Sequence, residues 1–113
     1  MLRQNKIYIG LNNKYYKIGQ TSQDIKQRQS EIRKKTKGFE MKIYIEFTHS
    51  KAFTEMVESI LRYEIESNGY EIIGNDHITK KGEFDDIVKI YLASVTSTLN
   101  RYKIDYKVVH IAD

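Results

Sequence analysis

At 113 residues, with no cysteine and no proline, the chain has the length of one domain with a modest core, and it excludes a disulfide framework and any thiolate metal site. No apolar run approaches bilayer length and residues 1–5 lack the apolar region of a secretory signal, so a cytoplasmic protein with no membrane partner is expected. The net charge of +4 is uneven: residues 1–37 hold ten Lys or Arg against two acids, and residues 38–113 hold nine against thirteen.

Residues 6–21 read as a β-hairpin. Asn12 and Asn13 adopt positive φ at low cost and suit a tight two-residue turn. Counting outward from it opposes Ile9 with Tyr16, Tyr8 with Lys17 and Ile7 with Ile18. Alternation then places Ile7, Ile9, Tyr16 and Ile18 on one apolar face and Tyr8, Tyr15 and Lys17 on the other. Tyr8 and Lys17 become direct neighbours, with Cβ atoms about 5 Å apart.

Thr21 is expected to cap a first helix that runs to about residue 35, with Asp24 completing an approximate capping box. Its apolar stripe is only Ile25 and Ile32, and Arg28 lies beside it. Lys26, Arg33, Lys34, Lys35 and Lys37 fit either a solvated helix face or a surface that meets phosphates. Residues 41–47 alternate as a strand with Met41, Ile43, Ile45 and Phe47 on one face.

A second helix over 51–68 carries Phe53, Met56, Val57, Ile60, Leu61 and Ile65 at helical spacing and ends at Gly69, a favoured left-handed cap. Glu58 falls on the edge of that stripe, where an i,i+4 pair with Arg62 is its structural alternative. Residues 70–82 form a short apolar run and then a polar loop. His77 lies in this loop without a second ligand at metal-binding spacing. A third helix over 83–102 repeats apolar residues from Phe84 to Leu99, with acids in its first turn. Residues 105–111 alternate as a terminal strand that either joins the sheet or pairs between subunits. The expected fold is α+β, a single domain over 1–113 with a three-stranded antiparallel sheet, three flanking helices and this further C-terminal strand.

Ile7-Tyr8 and Lys17-Ile18-Gly19, followed by Thr21, Arg28 and Glu58, resemble the GIY-YIG nuclease superfamily, most closely its short phage- and virus-borne branch with a Lys-Ile-Gly second tripeptide. The resemblance covers about residues 6–75, with the C-terminal helix and strand over 83–111 added to it. It departs at Lys6 for the first Gly, Lys17 for the second Tyr and Ile32 where many members carry His.

The resemblance implies a small metal-dependent DNA endonuclease acting on double-stranded DNA, in the host cytoplasm if phage-encoded. Tyr8, Lys17, Arg28 and Glu58 would be catalytic. Glu58 would hold one Mg²⁺ or Mn²⁺, Arg28 would grip the scissile phosphate, and Tyr8 would orient or deprotonate the water with Lys17 favouring phenolate. Lys14, Tyr15, Lys26, Lys34 and Lys35 are the expected nucleic-acid contacts. Thr21 and Asn75 are supporting candidates, Asn68 competes with Asn75, and turn chemistry alone is the simpler account of either. Two other classes fit the same residues. One is a catalytically inactive GIY-YIG-like module that binds nucleic acid or a host protein in counter-defence. The other is an oligomeric interaction protein, suggested by nine tyrosines and the terminal strand.

Overall fold

A computed structural model describes residues 1–111. Its elements are β1 (Arg3–Leu11), β2 (Tyr15–Thr21), α1 (Ile25–Lys35), β3 (Glu40–His49), α2 (Lys51–Ser67), β4 (Ile72–Ile73), β5 (His77–Thr79), α3 (Phe84–Arg101) and β6 (Tyr106–His110). The fold is α+β, but the sheet has six strands in the order β4-β5-β2-β1-β3-β6, where three were expected. Every pairing is antiparallel. The added strands on one side, β4 and β5, are two and three residues long and too short to show a period of two. On the other side β6 joins its own chain, pairing Val108 with Ile45 of β3.

Alternation along β1 and β2 holds, but the register differs from the expected one. Tyr8 opposes Gly19, and Lys17 opposes Gly10. The turn is centred one residue later because the Asn12 side chain organises it: its Oδ1 accepts from the Lys14 and Tyr15 amides at 2.8 and 2.7 Å, while its Nδ2 donates to the Lys37 carbonyl at 2.9 Å. Neither Asn12 nor Asn13 has positive φ; among the described non-glycine residues only Lys103 does. Moving the centre by one residue shifts the pairing by two, so each side chain keeps its face.

One face of the sheet carries the larger core. Ile7, Ile9, Ile18, Ile45, Val57, Leu61, Ile65, Ile87, Tyr91, Val95 and Leu99 are all fully buried there. Burying an Ile or Leu side chain contributes about 2 kcal/mol, so α2 and α3 are anchored chiefly by their apolar stripes. The opposite face carries Tyr8, Ile32, Phe39 and Met41. Met41 is there because the β1–β3 register shifts between Ile9 and Gly10, which pair with Ile43 and Met41 respectively. Skipping Lys42 turns Met41 away from Ile43, Ile45 and Phe47, contrary to the single face expected for all four.

Helix α1 covers this second face with only Ile32 buried. Polar links hold it as well: Met41 N donates to Gln29 Oε1 and Arg33 Nε to the Phe39 carbonyl, each at 2.8 Å. Its N-cap is Asp24, whose carboxylate accepts from the Lys26 and Gln27 amides; Thr21 instead ends β2, and its hydroxyl accepts from Gln23 N at 3.0 Å. The expected cap was therefore three residues early. The ends of α2 agree with expectation, with Ser50 at its start and Gly69 at φ +87° just beyond Asn68.

Candidate active site

Tyr8 lies on the face under α1, and Arg28, Asp76 and Glu58 act on its hydroxyl electrostatically. Tyr8 lies along β2 over Gly19, where a Cβ would fall 2.2 Å from the tyrosine oxygen. Only glycine leaves room for the ring, which explains the Gly of the second tripeptide in steric terms. Burial pushes the Tyr8 hydroxyl up to about 12; the Arg28 guanidinium pulls it down, and the Asp76 and Glu58 carboxylates push it up again. Tyr8 is therefore a neutral phenol at neutral pH, able to donate and accept hydrogen bonds but not poised to take a proton.

Lys17 does not turn to Tyr8. Its ammonium forms an ion pair with Asp76, the residue that precedes β5. Burial raises the Asp76 carboxyl, but Lys17 and then His77 outweigh it and hold the group below the usual aspartate range. The other Asp76 oxygen lies 2.9 Å from His77 Nδ1, and His77 Nε2 lies 3.0 Å from Thr36 Oγ1. The cation that acts on Tyr8 is Arg28, in place of the expected Lys17.

Arg28 stands between two clefts. One, of about 480 Å³, is lined by Lys17, Arg28, Lys34, Lys35, Asp76 and His77 among others. The second, of about 400 Å³, includes Thr21, Arg28, Arg3 and Lys51. Arg28 contacts Glu31 at 3.4 Å through one terminal nitrogen, while its Nε is buried with no hydrogen-bond partner among the described residues. A guanidinium left short of acceptors is suited to an added oxyanion.

Glu58 reaches this region from α2. Its Oε2 accepts from Arg62 at 2.7 Å, so the structural i,i+4 pair is present, and Arg62 Nε donates to the Asn75 carbonyl at 2.9 Å, tying α2 to the β4–β5 turn. Burial raises the Glu58 carboxyl; Arg62 pulls it down, Asp76 pushes it up, Lys17 pulls it down, and the balance is upward. These mutual effects put Glu58 within electrostatic reach of Tyr8, Lys17 and Asp76. Asn75 contributes its carbonyl, with its side chain exposed, and Asn68 caps α2 by donating to the Glu64 carbonyl.

No group of three or more His, Cys, Asp or Glu able to hold a metal ion occurs among the described residues. Glu58 Oε1 is free of hydrogen bonds and ion pairs there, and a single carboxylate oxygen suits a divalent ion that keeps most of its water.

The expected nucleic-acid contacts divide. Lys34 and Lys35 line the cleft and make no ion pair among the described residues. Lys14 sits 5.3 Å over the Tyr15 ring, which meets His77 edge-on at 5.4 Å, but neither lines the cleft. Lys26 is exposed on α1 and does not line the cleft. Asp76 and His77 were not expected to join Lys17. The sequence carries one signal for them: Ile72-Ile73 and His77-Ile78-Thr79 flank Gly74-Asn75-Asp76, a short glycine-containing hairpin loop.

No helix among the described residues is long and apolar enough to cross a membrane. The sequence profile of the T5orf172 domain matches residues 5–103. Neither a curated protein nor a solved structure matches the chain.

Proposed function

Because the chain belongs to the T5orf172 domain family, a domain found in phage and in nuclease-like proteins, we propose that it is a small metal-dependent DNA endonuclease with a GIY-YIG-type site. The observation that carries this is Arg28: its guanidinium lines a cleft shared with Lys34 and Lys35, acts on the Tyr8 hydroxyl and makes only a long 3.4 Å contact to a carboxylate, that of Glu31, while Lys34 and Lys35 make no ion pair among the described residues. Phosphodiester hydrolysis needs charge stabilised on the phosphoryl oxygens, and Arg28 is placed to accept a phosphate through paired donors. Lys34 and Lys35 would hold the flanking backbone of double-stranded DNA.

Tyr8, with its proton retained, would orient the phosphate or the water by hydrogen bonding. Lys17, held by Asp76, would fix the floor of the cleft and contribute positive charge near Glu58. Glu58 would hold one Mg²⁺ or Mn²⁺ through Oε1, and the bound ion would supply Lewis-acid stabilisation of the phosphate. Purified protein should relax supercoiled plasmid in Mg²⁺ or Mn²⁺, stop when the metal is chelated and resume on its return.

A second reading is a nucleic-acid-binding module without turnover. It draws on the internal pairing of Lys17 with Asp76 and of Glu58 with Arg62, which leaves both charges partnered by the protein itself. Salt-dependent DNA binding with no cleavage in any divalent metal selects it.

A further inference from the structure

The cleft contains a proton-accepting group with no task so far. His77 leaves β5 opposite Lys17 and points its ring between Asp76 and Thr36. The Asp76 carboxylate, ion-paired with Lys17, accepts hydrogen bonds only, so His77 Nδ1 carries the ring hydrogen. In the neutral ring Nε2 then presents its lone pair and takes a hydrogen bond from the Thr36 hydroxyl at 3.0 Å. A carboxylate that fixes the tautomer, with the second nitrogen left to accept, is the arrangement required of a general base.

Tyr15 from β2 and Asp76 from the β4–β5 turn touch the ring, and the titratable or charged groups that line the cleft with it are Lys17 from β2 and Arg28, Glu31, Lys34 and Lys35 from α1. None of them duplicates this role. Arg28 cannot release a proton, and the ammonium groups of Lys34 and Lys35 have donors but no acceptor. Asp76 is engaged by Lys17. Glu31 accepts from Arg28 and from Gln23 Nε2 at 3.4 and 3.2 Å. The imidazole retains 29% side-chain exposure, which lets water reach it.

We propose that His77 is the catalytic general base of this cleft, with Asp76 and Thr36 as its positioning residues, acting on a phosphodiester. This rests on the nuclease reading. Water replaces the Thr36 hydroxyl at Nε2; its oxygen forms the new bond to phosphorus while its proton passes to Nε2. The bond from phosphorus to the leaving oxygen breaks with the electron pair on that oxygen, which takes a proton from solvent water, and the imidazolium gives its proton back to solvent.

The test is single-turnover cleavage of supercoiled plasmid in Mn²⁺ across a pH series, with wild type, His77→Ala, His77→Gln and Glu58→Ala. Folding of each variant is checked by thermal unfolding. His77→Ala is expected to lose about 100-fold or more in rate, to lose the acid limb of the pH profile and to recover part of its rate with added imidazole. His77→Gln, which keeps hydrogen-bonding atoms in the ring's place, shows the same loss without depending on how well the alanine variant folds. Wild-type rates in both His77 variants, or a loss with an unaltered pH profile and no imidazole rescue, overturns the assignment, and an inactive Glu58→Ala beside them leaves the nuclease reading standing. A wild-type protein that cuts nothing in Mg²⁺ or Mn²⁺ overturns both.

Discussion

Lys17 of β2 is ion-paired with Asp76, fifty-nine residues further along the chain, at the point where the β4–β5 hairpin meets the sheet. The lysine is nearly buried, so the pair joins a local charge balance to the attachment of the outer strands. Lys17→Met leaves the Asp76 carboxylate without its main partner. Because Asp76 is 38% exposed, solvent screens much of the loss, and a cost of about 1–2 kcal/mol is expected in denaturant unfolding. Asp76→Asn should cost a similar amount, and the double variant less than the two singly added.

The pair also sets a pH dependence. The folded-state Asp76 carboxyl is held below its usual value of 3.8, so the stability it contributes is present above that value and is lost as pH falls through the folded one. Acid unfolding of wild type should therefore steepen below about pH 4, and Asp76→Asn should show a shallower acid limb. Parallel acid titrations followed by circular dichroism measure this.

Tyr8 gives the opposite sign. Its hydroxyl is pushed from 10.0 up to about 12, so the folded state favours the protonated phenol. That contribution is complete below pH 10 and is lost as pH rises toward 12, with a total of about 3 kcal/mol for a shift of this size. Tyr8→Phe should remove this part of the alkaline destabilisation. Ultraviolet phenolate titration should show one fewer late-titrating tyrosine in the variant.

Much of the scaffold is written in local patterns. Ile7, Ile9 and Ile18 alternate, Val57, Leu61 and Ile65 repeat at helical spacing, and both patterns meet in the larger core. The departures come from distant partners. Asn12 fixes its turn partly through the Lys37 carbonyl, and Met41 changes face at a bulge set by pairing with Gly10. His77–Thr79 becomes a strand because β2 offers it an edge, and Ile72-Ile73 because His77–Thr79 offers it the next one. The candidate residues on β1, β2, α1 and α2 were legible as a motif, whereas Asp76 and His77 lie in a segment whose local signal is a turn.

Glu58 should separate function from stability. Its carboxyl is raised by burial despite Arg62, so its ionised form is held at a cost that rises as pH climbs above the usual 4.5. Glu58→Gln removes the charge and keeps an oxygen for Arg62. Its melting temperature should equal or exceed that of wild type near pH 7 while cleavage is lost. A marked fall in melting temperature would mean that the Arg62 ion pair outweighs the burial cost.

Gly19→Ala tests the packing of the Tyr8 ring. The added methyl would meet the hydroxyl and ring carbons at 2.2–3.0 Å, so the ring must move. Overpacking of this kind costs about 1–3 kcal/mol, and cleavage should fall with it. Tyr8→Phe in the same background should recover part of the stability, because the oxygen makes the nearest contact.

Hydrolysis of phosphodiesters in the cleft beside Arg28, with help from Glu58, is tested by time-resolved cleavage of one supercoiled plasmid by wild type, Arg28→Ala and Glu58→Ala, each shown to be folded, in Mg²⁺ and in Mn²⁺. Nicked or linear product from wild type, and none above background from either variant, is the predicted result. Equal cleavage by all three, or by none, would contradict it.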